Sequence, residues 1–463
     1  MKKIYFLLIL AILLIIPSNV KAAPVNSKFK DDTLYECIIN SLNQEKINGK
    51  EDRNISYVVT DDELSQLKVL NCSGYNKEAK VKDTTGIDSM INLTNLQLQY
   101  NEVSNIDVTK LTKLETLDLG GNQLTSIDLS KNVSLTTLSL GENKLTNIDV
   151  SNNPLLSYLN LYQNNLTNID ISNNPLLEYL NAQKNKLTSI DVSDKVNLKK
   201  LYLGSNQLTD LDVSKLANLE IYYAWGNKLT NVDVTKNTKL KKLDVGTNEL
   251  TSIDISNNPL LEYLGVQKNK LTSIDVSDKV NLKELYLGSN QLTDLDVSKL
   301  ANLEIYYAWG NKLTNVDVTK NINLKSLDLS TNEITNIDLS KNDLLENLVL
   351  KQNKLTNIDV SKNINLKELY LENNQLTDLD VSNNINLEVL KISNNKLKKE
   401  VDVSKNTKLT TYEHENALEE IEDPNIENPK TGDLPIVMIS ILGIMAIMYI
   451  YYIFYKNKKI RLT

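Results

Sequence analysis

The chain has 463 residues, 41% of them apolar, with 59 acidic against 51 basic side chains and a formal net charge of −8. That balance leaves no basic stripe to neutralise phosphates, so nucleic acid is excluded as a partner. A single histidine, His414, leaves a His-based zinc site or Ser-His-Asp catalysis almost nothing to work with, and two cysteines, Cys37 and Cys72, are too few for a disulfide framework. No cofactor and no enzyme chemistry is expected.

Residues 1–22 read as a secretory signal peptide. Lys2 and Lys3 precede an apolar run from Ile4 to Ile16, Pro17 breaks it, and Val20-Lys21-Ala22 supplies small residues for cleavage after Ala22. The run is short for a membrane span, although an uncleaved anchor is the other reading. Residues 28–92 form an N-terminal cap. Leu34, Cys37, Ile38, Ile39 and Leu42 fall on one helical face, and Thr60-Asp61-Asp62-Glu63 has the capping-box form. Val69, Leu70 and Cys72 suggest a first strand. For Cys37 and Cys72 a bridge and a pair of packed thiols are both open.

From residue 93 to 412 a period of 21 residues governs the chain. Asparagine recurs from Asn101 to Asn395 in fifteen unbroken registers, with Leu eight residues before each Asn and Leu or Tyr five before it. This is the leucine-rich-repeat pattern. The alternation predicts a short strand with one face inward. The Asn turns into the coil to satisfy backbone groups at the bend. No rung can bury its apolar face alone, so rungs must stack as a solenoid. The return half is too short for a full helix, so extended or single-turn segments are expected on the convex side and a parallel sheet on the concave side. Fifteen rungs at the strand spacing span on the order of 70 Å.

Each return half carries an Asp, fourteen of them from Asp107 to Asp380. Ser or Thr follows two residues on, so each Asp can cap its own turn; a calcium ladder is the alternative. Residues 169–237 recur as 253–321 with three differences, Asn181/Gly265, Ala182/Val266 and Lys200/Glu284. The displacement is four rungs. After Leu397 one extra residue enters, and the apolar ladder fades at Tyr412.

Positions six, four and two residues before each Asn face out from the concave sheet. They hold Tyr158, Tyr162, Tyr179, Tyr202, Tyr223, Trp225, Tyr263, Tyr286, Tyr307, Trp309 and Tyr370. Aromatics are enriched at interface centres, so this face is the candidate for a protein or carbohydrate ligand. Gly120, Gly141, Gly204, Gly246 and Gly288 are expected to leave grooves open between them. The bland alternative is cross-rung stacking that stiffens the sheet.

Residues 413–433 read as an acidic spacer, 434–455 as an uncharged apolar span long enough to cross a bilayer, and 456–463 as a basic tail held in the cytoplasm. Just before the span stands Asn428-Pro429-Lys430-Thr431-Gly432. Pentapeptide, span and basic tail in this order resemble a sortase sorting signal. The resemblance implies cleavage between Thr431 and Gly432 and transfer to peptidoglycan, with sortase and the wall as partners. Asn428 stands where the commonest motif has Leu. A plain membrane anchor is the alternative.

Residues 30–412, with the join Gly86-Ile87-Asp88-Ser89-Met90-Ile91-Asn92-Leu93-Thr94-Asn95-Leu96, resemble the internalins, wall-anchored leucine-rich-repeat proteins of Gram-positive bacteria. The 21-residue rung is closer to the internalin J type than to the 22-residue internalins. The resemblance implies a helical cap, a right-handed solenoid and attachment to host or surface ligands. Internalin J stacks cysteines within its repeats, which this chain does not, and no further domain separates repeats from anchor. The expected role is therefore a monomeric, exported, wall-anchored binding module. The alternative is a structural protein that binds the cell's own envelope polymers.

Overall fold

A computed structural model describes residues 28–74 and 76–415. The segments expected to be a signal peptide (1–22), a sorting motif (428–432), a membrane span (434–455) and a basic tail (456–463) lie outside the described residues. No helix among the described residues is long and apolar enough to cross a membrane.

The cap opens with helix α1 (Asp32–Gln44), whose N-terminus is closed by the Asp31 carboxylate accepting from the Leu34 amide. Leu34, Ile38 and Leu42 are fully buried. Helix α2 (Asp61–Gln66) carries both halves of the capping box between Thr60 and Glu63. Arg53 and Glu63 pair inside the cap at 2.9 Å, both almost wholly buried. Burial works to raise the Glu63 carboxyl, but the Thr60 amide, the Tyr57 hydroxyl and Arg53 together hold it down to about 2. Cys37 and Cys72 are buried, free thiols in side-chain contact. They are not bridged in this structure, which has the packed-thiol arrangement of the two readings. Burial pushes the Cys72 thiol up.

Seventeen three-residue strands then form one parallel sheet in sequence order, from β1 (Val69–Asn71) and β2 (Asn95–Gln97) through β16 (Val389–Lys391) to β17 (Thr411–Glu413). From β2 to β16 each strand pairs with the next at a 21-residue offset, as in Leu96↔Leu117 and Leu369↔Leu390. The extra residue after Leu397 survives as Leu390↔Tyr412. The middle residue of every strand from β1 to β16 is buried and its neighbours are more exposed except at Asp244 and Gly265, which are buried as well, the period-two pattern of a sheet with one face inward. The expected return segments are successive single turns: the Leu111 amide bonds the Val108 carbonyl at 2.9 Å and the Leu114 amide bonds the Leu111 carbonyl at 3.2 Å.

The Asn ladder ties rung to rung. Asn206 donates to the Ala182 and Leu203 carbonyls at 2.9 and 3.0 Å and accepts from the Leu187 amide at 3.0 Å. Each Asn thus satisfies buried backbone of its own and the preceding rung. The residue before each ladder Asn has positive φ, and only Gly121, Gly226 and Gly310 meet that demand with glycine.

Two further ladders lie in the return half and along the strand edge. Asn132, Asn153, Asn174, Asn237, Asn258 and their equivalents are buried; Asn237 donates to the Val213 and Leu216 carbonyls at 2.9 Å each. Lys195 and Lys279 occupy this position in two rungs. Their ammonium groups reach the Ser172 and Ser256 carbonyls and pair with Asp194 and Asp278. At the strand edge Glu178, Lys199, Glu220, Lys241, Glu262 and Lys283 alternate in sign and continue so to Glu388. Pairs such as Lys199–Glu178 close at 2.7 Å.

Candidate functional site: the outer face of the sheet

Residues six and four before each ladder Asn flank the buried strand centre and point away from the core, as the alternation requires. Residues two before it lie just past each strand. Seven tyrosines therefore form a continuous row. Tyr158 stacks on Tyr179 with centroids 4.2 Å apart and rings 12° from parallel. Tyr179–Tyr202, Tyr202–Tyr223, Tyr223–Tyr263, Tyr263–Tyr286 and Tyr286–Tyr307 follow at 5.3–5.9 Å, tilted or edge-on. Burial, then the neighbouring Asp244 carboxylate, pushes the Tyr223 phenol up to about 12. Burial raises Tyr158, Tyr202, Tyr263 and Tyr286 as well. These five raised phenols stay protonated and offer hydroxyl donors and ring edges over the whole physiological range. Tyr162 lies outside it, under the ammonium of Lys184 at 5.0 Å, and Tyr370 donates to Glu368 at 3.1 Å.

The expectation of open grooves at the glycines holds only in part. A Cβ on Gly204 would lie 2.6 Å from the Trp225 indole, and one on Gly288 would lie 2.3 Å from that of Trp309. Each indole folds back over the glycine of the preceding rung. Gln267 covers Gly246 in the same way, at 2.4 Å. These three glycines are seats for the next rung's side chain, which is why no larger residue fits. Around Gly120 and Gly141 the surface does stay open. A cleft of about 250 Å³ is lined there by Asp118, Ser139, Tyr158, Asn160 and Tyr162 among others.

A second cleft, of about 540 Å³, opens on the far side of Trp309. It is framed by β13 (Ser326–Asp328), β14 (Asn347–Val349) and β15 (Glu368–Tyr370). Its other walls are Ser330, Thr331, Lys351 and Gln352. Asp328 accepts from the Ser330 amide at 2.9 Å, and Thr331 donates to Gln352 at 2.7 Å. The buried Oδ1 of Asn347 has no hydrogen-bond partner. In the sequence only the aromatic members of these outward positions stand out, so the polar lining becomes visible with the cleft.

The Asp residues of the return half cap their own turns, as the spacing predicts. Asp107 accepts from the Thr109 amide at 2.9 Å and Asp191 from the Ser193 amide at 2.9 Å. The Thr109 hydroxyl, which donates to Asp107 at 2.6 Å, and then its amide hold the Asp107 carboxyl below the usual range, and the Ser193 amide does so first for Asp191. Among the described residues no His, Cys, Asp or Glu cluster could hold a metal ion.

A leucine-rich-repeat family model matches residues 110–131, 195–217, 279–301, 320–341 and 362–382. No curated protein sequence matches the chain. Among solved structures, the chain is similar to the functional domain of InlJ from Listeria monocytogenes, a domain that includes a cysteine ladder. The two share 32% identity with a TM-score of 0.68, over 84% of this chain and 79% of that one. A leucine-rich-repeat protein of Leptospira interrogans matches at 25% identity and TM-score 0.60, over 70% of this chain and 87% of the other. An internalin, InlF, of Listeria monocytogenes shares the fold at 24% identity and TM-score 0.51, over 84% and 96% of the two chains. With two cysteines, both in the cap, this chain cannot form the InlJ ladder.

Proposed function

The chain belongs to the internalin family of leucine-rich-repeat proteins, and from that premise we propose that it is a surface-displayed binding module that takes a protein or glycan on the outer face of its sheet. The single observation that carries this reading is the row of half-buried tyrosines ending in a polar cleft beside Trp309. Aromatic side chains lose little conformational freedom on binding and offer both apolar area and a polar tip. The charged and amide side chains of the cleft supply orientation. Catalysis is not part of the proposal, since the abundant Asp and Tyr are engaged at repeat positions in caps and stacking.

Export through residues 1–22 and sortase transfer at Thr431 belong to the same proposal and would hold the module at a Gram-positive-type wall. Fractionation of cells producing Thr431→Ala tests the anchor: transfer by sortase requires wall-linked protein to disappear, and its persistence would rule that step out. The binding reading is tested on whole cells against immobilised host glycoproteins and purified wall polymers. Tyr307→Arg with Tyr370→Arg should abolish attachment, while Asn173→Arg in an exposed return turn should leave it intact. Attachment indifferent to the sheet-face pair would sink the reading. Attachment to wall polymers alone would instead favour a structural wall protein.

A further inference from the structure

The four-rung duplication gives this face an internal control. Both copies present the same approach: Tyr202 edge-on to Tyr223 at 81° and Tyr286 edge-on to Tyr307 at 86°, with an indole seated on the preceding glycine. The copies end at residues 237 and 321, so the rungs that follow differ. Beyond Trp225 stands Tyr263, whose ring packs on Tyr223 at 5.9 Å and whose hydroxyl donates to Asp244 at 3.0 Å. Gln267 lies over Gly246 beside it. Asp244 is consequently buried, 9% exposed. Beyond Trp309 the equivalent positions are Asn347 and Lys351. No tyrosine covers Asp328, and the cleft of about 540 Å³ takes its place.

We infer, building on the proposed binding role, that the cleft beside Trp309 is a carbohydrate site for a neutral or N-acetylated oligosaccharide, and that Trp225 is its filled counterpart. The lining argues for this class. One indole wall offers a flat π face to the polarised C–H face of a pyranose. Asp328, Asn347, Gln352 and Glu368 are planar groups suited to paired sugar hydroxyls, which both donate and accept. Two carboxylates against one lysine disfavour sialylated or sulphated ligands. Peptide modes fit poorly. The strands here are paired on both sides and offer no edge for an added strand, and the lining sets only Trp309, Val349 and Tyr370 among seven polar side chains, a poor match to the apolar stripe of a docked helix.

The test uses the full chain in detergent on an array of neutral, N-acetylated, sialylated and sulphated oligosaccharides. Neutral or N-acetylated members should bind. The chain has only two tryptophans, so Trp225→Phe and Trp309→Phe each leave one indole as reporter. Titration of a bound array member should shift the emission of Trp309 and not that of Trp225. Asn347→Tyr with Lys351→Gln, which rebuilds the filled arrangement, should weaken binding at least tenfold with an unchanged circular-dichroism melt. An array without neutral or N-acetylated binders would overturn the inference, as would a response at Trp225 or full affinity after the cleft is filled. An empty array combined with cell attachment that still depends on Tyr307 and Tyr370 would remove the carbohydrate assignment and leave the broader binding role standing.

Discussion

Residues 169–237 and 253–321 differ at three of 69 positions, yet one copy ends in a packed surface and the other in a cleft. Inside the coil the copies are alike. Asn206 and Asn290 each donate two bonds to backbone carbonyls and accept one, all at 2.9–3.0 Å. Tyr222 and Tyr306 are both fully buried beside a small residue, Ala224 or Ala308. On the outer face the last rung of each copy is completed by its successor. A solenoid rung therefore carries its own core but borrows part of its surface. Duplication copies stability faithfully and surface chemistry only up to the final junction.

That contrast can be broken from several directions. The largest expected effect is in the core. Asn206→Ala and Asn290→Ala each strand three buried backbone groups and should cost about 3 kcal/mol in urea denaturation. The two costs should agree within about 0.5 kcal/mol, the usual scatter for equivalent independent sites; unequal values would mean that the copies are not energetically equivalent. Next come the glycine seats. Gly204→Ala and Gly288→Ala should each cost about 1–2 kcal/mol by displacing an indole, with a red shift in tryptophan emission. An unchanged spectrum would show that the indoles do not rest there. Tyr222→Phe and Tyr306→Phe remove buried hydroxyls that have no partner and should stabilise the protein by about 1 kcal/mol each. Destabilisation in either copy would reveal a partner for that hydroxyl.

The smallest effect separates the copies. Burial raises the Asp244 carboxyl above its ordinary 3.8. Its contribution to stability is then full below pH 3.8 and is lost as pH rises through the elevated folded value. Asp244→Asn should therefore raise the urea midpoint at pH 7 and give no gain at pH 3. Asp328→Asn should change the neutral midpoint less, because Asp328 is more exposed. Equal gains at both positions would contradict the filled-versus-open distinction.

Most of the scaffold was legible in the sequence because its determinants recur at one spacing. Fifteen Asn registers and their Leu partners specify strand, coil and stacking together, and even the one-residue slip after Leu397 appears where the pattern breaks. The return-half ladder at Asn132, Asn153 and Asn237 was equally periodic. A polar residue in a turn looks solvated in sequence until the coil closes over it. The sign alternation from Glu178 to Glu388 was also present, but exposed pairs of this kind each contribute only about 0.2–1 kcal/mol. The site was less legible. Which residues face outward follows from the strand period. Whether the space beside them is open depends on side-chain direction in the next rung, as at Trp225 on Gly204 and Gln267 on Gly246. Residue spacing does not carry that information.

The most direct measurement builds a second site. Tyr263→Asn with Gln267→Lys should open beside Trp225 the cleft that exists beside Trp309, leaving the Asn ladder untouched. Titrated calorimetrically with the tightest neutral oligosaccharide from the array, the unaltered chain should bind one equivalent and this variant two, the second reported by Trp225 emission. One equivalent in both proteins, with Trp225 silent in a folded variant, would contradict the claim that the following rung decides whether a copied surface binds.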